Sequence, residues 1–208
     1  MSEHWKGIIT NRAILRNFAL VCGLCLAFGG TALADSCGTP ASKGWDIKNP
    51  PADDRQAIED VLSRYALTID ERDAAAFAGL FAVPKSSYYE MCNTGGSVFR
   101  LTLGLDPTSP DDLLTQMGII VQELETDHLQ TRHFVTNTLF HVDKTGKTAN
   151  TRSAVLVTVQ DSHSPMPSLD YSADVRATLV KGGDDQWLFQ SLTVHADYSA
   201  GSVAAKKR

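Results

Sequence analysis

The sequence predicts an α+β domain, and three observations carry the prediction. Apolar residues recur at helical spacing from Asp53 to Leu124, the period shortens to that of extended chain from Thr131 onward, and glycines fall at hairpin positions between the extended runs. Helices first and long antiparallel strands afterwards give one twisted sheet curling around the first helix. The 208 residues with a hydrophobic share of 43% suffice for one well-filled core. A net charge of -5 argues against a partner built on phosphate backbones, because such binding rests on clustered Lys and Arg that release counterions. Nucleic acid is therefore set aside.

Residues 1–34 read as a signal peptide. Lys6, Arg12 and Arg16 form a positive segment, Phe18 to Phe28 is apolar, and Ala32-Leu33-Ala34 is a small-x-small cleavage site. The expected product is an exported, periplasmic protein beginning near Asp35. An uncleaved N-terminal membrane anchor is the alternative, since Asn17 to Ala34 carries no charge. Cys22 and Cys25 have redox spacing but would leave with the peptide. Cys37 and Cys92 remain as an even pair in an oxidising compartment, either bonded or as two thiols. Residues 35–52, with Pro40, Pro50 and Pro51 and no apolar period, are expected to be a flexible lead-in.

The domain itself is expected over 53–198. Ile58, Val61, Leu62, Tyr65, Ala66 and Ile69 lie on one face of a first helix, with Asp53 and Gln56 as its capping box. Asp73 caps a short second helix that turns Phe77, Leu80 and Phe81 inward and stops at Pro84. Ser109-Pro110-Asp111-Asp112 starts a third, which buries Leu113, Leu114, Met117, Ile120, Val121 and Leu124. Four strands follow, over 132–142, 148–160, 171–180 and 187–196, with turns at Gly146 and Gly182-Gly183. Tyr88 to Met91 and Val98 to Leu103 are candidates for one or two more. Residues 199–208 form a basic tail.

Asp54-Arg55-Gln56-Ala57-Ile58, Tyr65-Ala66, Asp70-x-x-Asp73 and Thr131-Arg132-His133-Phe134-Val135-Thr136-Asn137, in that order, resemble the SnoaL-like family. That family belongs to the superfamily of nuclear transport factor two, scytalone dehydratase and ketosteroid isomerase. The resemblance implies a cone-shaped barrel, three helices packed in a strongly curved antiparallel sheet, whose mouth holds a small apolar or aromatic ligand. Set against scytalone dehydratase, it puts pocket groups at Asp70, Tyr89, His133, Ser172 and Asp174. Ile69 stands where that enzyme has a second Tyr, and Thr158 or Val159 where it has a second His, so its specific dehydration does not carry over.

The chemistry of these side chains supports proton transfer independently. An imidazole in an apolar pocket titrates near neutrality and a neighbouring carboxylate fixes its tautomer, so His133 with Asp70 makes a general acid or base. Tyr89 would polarise a substrate oxygen. Tyr65, Asn137, Ser172 and Asp174 are candidate substrate contacts. Each has a plainer reading: Asp70 as an acceptor in the turn between helices, His133 bonded to a carbonyl, Tyr65 as core. No cofactor is expected, and the histidines show neither i, i+4 nor H-x-H metal spacing. A G-x-S-x-G elbow is absent too, which removes a serine-hydrolase reading.

Three classes stay open: a cofactor-independent lyase or dehydratase acting on a small apolar, aromatic or polycyclic molecule; an isomerase or cyclase with the same pocket; and a periplasmic binding or assembly module. A homodimer or homotrimer is expected through the outer sheet face, with Tyr171, Ala173, Val175, Ala177 and Leu179 outward and Ser172 and Asp174 toward the pocket.

Overall fold

The computed structural model describes residues 37, 47–83, 87–93, 96–105, 107–109, 111–163 and 166–197. The expected signal peptide or anchor, Cys22 and Cys25, Pro84, Pro110 and the basic tail lie outside the described residues. All described residues belong to the unit Ser36–Arg208.

Helix α1 (Ala52–Asp70) buries Ile58, Val61, Leu62, Tyr65 and Ala66 along one stripe, and its last residue, Asp70, falls on the same inward face. Its start differs from the expected capping box. Pro51 occupies the N-cap, where its missing N–H costs nothing, and its carbonyl accepts from Arg55 N at 2.9 Å. Asp53 thus lies inside the first turn, where its charge still suits the helix dipole. Asp54 ties the helix to the sheet: its Oδ1 accepts from Lys181 Nζ at 2.7 Å and Trp187 Nε1 at 3.0 Å.

Helix α2 (Ala74–Ala78) is capped as expected, Asp73 Oδ1 accepting from Ala76 N at 2.8 Å. Strands β1 (Tyr88–Asn93) and β2 (Gly96–Thr102) form a hairpin. Helix α3 (Leu113–Thr126) takes Asp112 as its N-cap and buries Leu113, Met117 and Leu124. Leu114 is exposed and Ile120 and Val121 are half-buried, because α3 covers the core along one narrow stripe rather than a broad face.

The remaining strands are β3 (Gln130–Val142), β4 (Thr148–Gln160), β5 (Ser168–Lys181) and β6 (Trp187–Ala196). They make one curved, unclosed sheet in the order β2-β1-β6-β5-β4-β3, antiparallel except where β1 runs parallel to β6. Register shifts interrupt β3 between Thr136 and Leu139, β4 against β5 between Val157 and Thr158, and β5 against β6 between Thr178 and Leu179. Such bulges raise local twist and bend a sheet around its contents. Gly146 takes the left-handed turn conformation at φ 71°, as its position suggests; in the next hairpin Asp185, not a glycine, has it at φ 61°.

The inner face reads across the strands in rows: His133 pairs with Val157 and Val157 with Tyr171, and likewise Val135, Val155 and Ala173. Ala173, Val175, Ala177 and Leu179 are buried in the same core as Ile58, Tyr65 and Phe77, and Tyr171 packs against it. The sheet faces are therefore opposite to the expected assignment. An α+β sheet puts its most apolar alternation under the helices, and in β5 that set is the odd-numbered one. Cys37 and Cys92 are joined in a disulfide, with Cα atoms 5.5 Å apart.

Candidate active site

Asp70 ends α1 pointing into the sheet, and the opening residues of β3 close around it. Its Oδ1 accepts from Thr131 Oγ1 at 2.9 Å and lies 2.7 Å from His133 Nδ1, while Oδ2 accepts from the His133 backbone N–H at 2.9 Å. Gln130 Nε2 donates to the Asp70 carbonyl at 3.0 Å. The N–H groups of the turn after α1 are taken up by backbone carbonyls, with Arg72 N on Ile69 O and Asp73 N on Thr68 O. Asp70 is accordingly not a turn acceptor; its carboxylate serves His133. Both side chains are only 5% exposed.

Burial by itself would push the Asp70 carboxyl up, but the hydrogen bonds from the His133 ring and backbone and from Thr131 outweigh it and hold the group below its ordinary value. An ionised carboxylate only accepts, so Nδ1 carries a proton and the Nε2 atom is the one left to exchange protons with anything else.

Tyr65 stands one turn back on α1, its ring edge-on to His133 with centroids 6.1 Å apart. Its hydroxyl is buried and has no hydrogen-bond partner among the described residues. Burial drives its pKa well above that of a free phenol, and Tyr89, Tyr171 and Asp70 push it the same way, which places those groups around it. Tyr89 is buried on β1, packed edge-on against Phe77 at 5.4 Å and against Phe99 at 5.6 Å. Asp70, His133, Tyr65 and Tyr89 thus come together within one aromatic-lined interior.

The other three predicted contacts do not join them. Asn137 sits at the β3 bulge with φ 55° and lines a shallow depression of about 310 Å³ between α1 and β3, with Arg55, Glu59, Ser63 and Thr138. Ser172 donates to Asp197 Oδ2 at 2.7 Å on the outer side of β5. Asp174 is likewise outside, clamped by Arg152 Nε at 3.0 Å and Arg176 Nη2 at 3.0 Å. The cause is the face reversal: with Tyr171 and Ala173 inward, the alternate residues point out. Sequence reasoning missed Thr131, whose hydroxyl completes the Asp70 cradle, and Tyr171, which shares a row with His133. The parity of β5 relative to His133 was the signal for Tyr171; Thr131 had none beyond its neighbours.

Residues 50–193 match the SnoaL-like domain. No curated protein matches the chain. Among solved structures, Aln2 from a Streptomyces species is 19% identical with a TM-score of 0.56, over 77% of this chain and 100% of that one. An NTF2-like protein with a cystatin-like fold from Novosphingobium aromaticivorans is 19% identical at a TM-score of 0.53, covering 75% and 90%. The beta subunit of a putative aromatic-ring-hydroxylating dioxygenase from the same organism is 14% identical at 0.54, covering 69% and 89%. At these identities the likeness is one of fold.

Proposed function

Since the chain belongs to the SnoaL-like domain family, whose members bind small apolar ligands, we propose that it is a cofactor-independent lyase acting on an aromatic or polycyclic molecule by general acid–base catalysis. The observation that carries the proposal is the buried Asp70–His133 pair with the Tyr65 ring edge-on to His133, the buried Tyr65 hydroxyl having no hydrogen-bond partner among the described residues. An unpaired buried hydroxyl costs about 1–3 kcal/mol, and a substrate oxygen accepting from it would offset that cost. Tyr65, Phe77, Tyr89 and Phe99 form one contiguous cluster of ring contacts beside the pair, an aromatic surrounding that suits a flat apolar substrate. The family also includes polyketide cyclases and dehydratases, which need the same tools.

In the proposed reaction Tyr65, assisted by Tyr89, donates to a substrate oxygen and draws electron density from the neighbouring C–H bond. His133 Nε2 takes the proton, its Nδ1–H held by Asp70. The electron pair forms the C=C bond, the C–O bond breaks, and the departing hydroxyl recovers a proton from Nε2 to leave as water. Without a leaving group the same atoms perform isomerisation or ring closure. A binding or assembly module is the second reading, favoured by the likeness of fold to a dioxygenase beta subunit. Cleavage after Ala34 and export of a protein beginning at Asp35 belong to the same proposal.

Incubating the protein with a panel of aromatic and polycyclic hydroxy-carbonyl compounds and following the loss of one water by mass tests the reading. His133→Ala is expected to lower kcat by about 10² or more. Asp70→Asn should cost less, and the double variant little more than His133→Ala alone, because the pair acts as a unit. Binding without conversion would move the protein to the second reading; full turnover by a folded His133→Ala would remove the histidine from the mechanism.

A further inference from the structure

Asp70 and His133 have to meet in one geometry for Nε2 to be the exchanging nitrogen, and His133 by itself does not enforce it. The carboxyl group turns about its Cβ–Cγ bond and the imidazole about its own second torsion, both of which are broad and roughly two-fold. Of the two donors that His133 supplies, only the backbone N–H, 2.9 Å from Oδ2, is fixed by the strand; the ring bond to Oδ1 at 2.7 Å depends on where the ring stands. A carboxylate held at Oδ2 alone is free to pivot and carry Oδ1 away from the ring.

Thr131 supplies the second fixed point. It lies two residues before His133 on β3, hence on the same face, and its Oγ1 donates to Asp70 Oδ1 at 2.9 Å. Branching at Cβ restricts its first torsion, and Gln130 Nε2, bonded to Asp70 O at 3.0 Å and to Thr131 O at 2.9 Å, pins the strand to the end of α1. The contact is sheltered as well. Thr131 is 8% exposed, its Cα partner is the buried Val159, and Val159 packs with Leu124 and Leu129 in a small apolar cluster. An apolar flank of this kind disfavours a water in place of the hydroxyl. We propose that Thr131 is a positioning residue of the site, holding Oδ1 of Asp70 still so that the His133 ring docks on an acceptor already fixed at both oxygens. Each oxygen then has one donor that does not depend on the ring, and the ordering of the carboxylate is met by the fold rather than by the imidazole.

Its consequence for catalysis rests on the proton-transfer reading of the site, but its geometry is tested without substrate. In the full chain labelled with ¹⁵N-histidine, the Nδ1–H proton of His133 is the ring signal that His133→Gln removes. Thr131→Val keeps the shape of the side chain and deletes the donor, and it is expected to speed exchange of that proton with water about tenfold or more, the scale of one net hydrogen bond to a charged group. Thr131→Ser keeps the donor and should restore native exchange; Thr131→Ala takes the place of the valine variant if that chain does not fold. With a panel compound that is converted, Thr131→Val should lower kcat about tenfold while KM changes less than about twofold, and Thr131→Ser should recover both. Native exchange or undiminished turnover in a folded Thr131→Val would overturn the proposal. So would a serine variant that behaves like the valine one, because the γ-methyl and not the hydroxyl would then be at work. Faster exchange in Thr131→Val of a protein that converts none of the panel would keep the positioning and sink only the enzyme reading.

Discussion

Asp70 and His133 lie 63 positions apart, and they meet because a helix ends where a strand begins to turn back over it. Neither residue type nor spacing reveals that meeting; it is visible in the sequence only through motif order. The energetic cost of assembling the site is not visible there at all, and it shows in the structure at Tyr65. Its hydroxyl is desolvated with nothing to bond among the described residues, so Tyr65→Phe is expected to raise stability by about 1 kcal/mol in urea unfolding, within the cost of an unsatisfied buried group, while lowering turnover. Destabilisation with unchanged activity would show a structural hydroxyl instead. Asp70 gives a second check. Its carboxyl is held below the unfolded value, so its contribution is present above the unfolded pKa and is lost as pH falls through the folded one. The stability of native protein should therefore decline more steeply than that of Asp70→Asn as pH falls through and below the ordinary carboxylate range. Parallel declines would mean that the carboxylate gains nothing from His133.

Among the elements, α1 and the four long strands were legible because each carries a strong period, whereas α2 was legible in its Asp73 cap but not in its length, since it ends at Ala78 and leaves Leu80 and Phe81 outside the helix. The failures are local and physical. The capping box gave way to Pro51, since a proline already fixes the helix start two residues earlier. Leu114 fell outside the buried stripe because α3 packs chiefly on α2 and buries only one line of side chains there. The face of β5 was misassigned because the resemblance put Ser172 and Asp174 in the pocket, although the odd-numbered set of Ser168–Lys181 is the more apolar one and is therefore the set taken up by the core. The disulfide is legible as a possibility from an even count, whereas its reach is a property of the fold. By closing a loop of 55 residues between the lead-in and β1, it should contribute about 2–4 kcal/mol. Unfolding of the Cys37→Ser, Cys92→Ser variant at an unchanged urea midpoint would show that it pins the tail and nothing more.

At the scale of the whole molecule, the face reversal changes what the protein offers to a partner. The apolar alternation of β5 is taken up by the core, yet the outer face is not polar throughout. Phe134 and Leu156 face each other across β3 and β4, and both are exposed, as are Leu139 on β3 and Leu169 at the start of β5. Beside them Arg152, Asp174 and Arg176 form a fixed ladder of charges. An exposed apolar strip is a candidate contact between copies of this chain, so the expected self-association moves to this surface, as a dimer. Sedimentation at micromolar concentration is expected to give a dimer for native protein and a monomer for Leu156→Asp with Phe134→Asp. Because both positions point away from the core, the double variant should keep its circular dichroism and its urea midpoint to within about 0.5 kcal/mol per substitution, the range for surface changes. A native monomer would leave the strip unexplained, and a dimer that survives both aspartates would place the contact elsewhere on the sheet or on the helices.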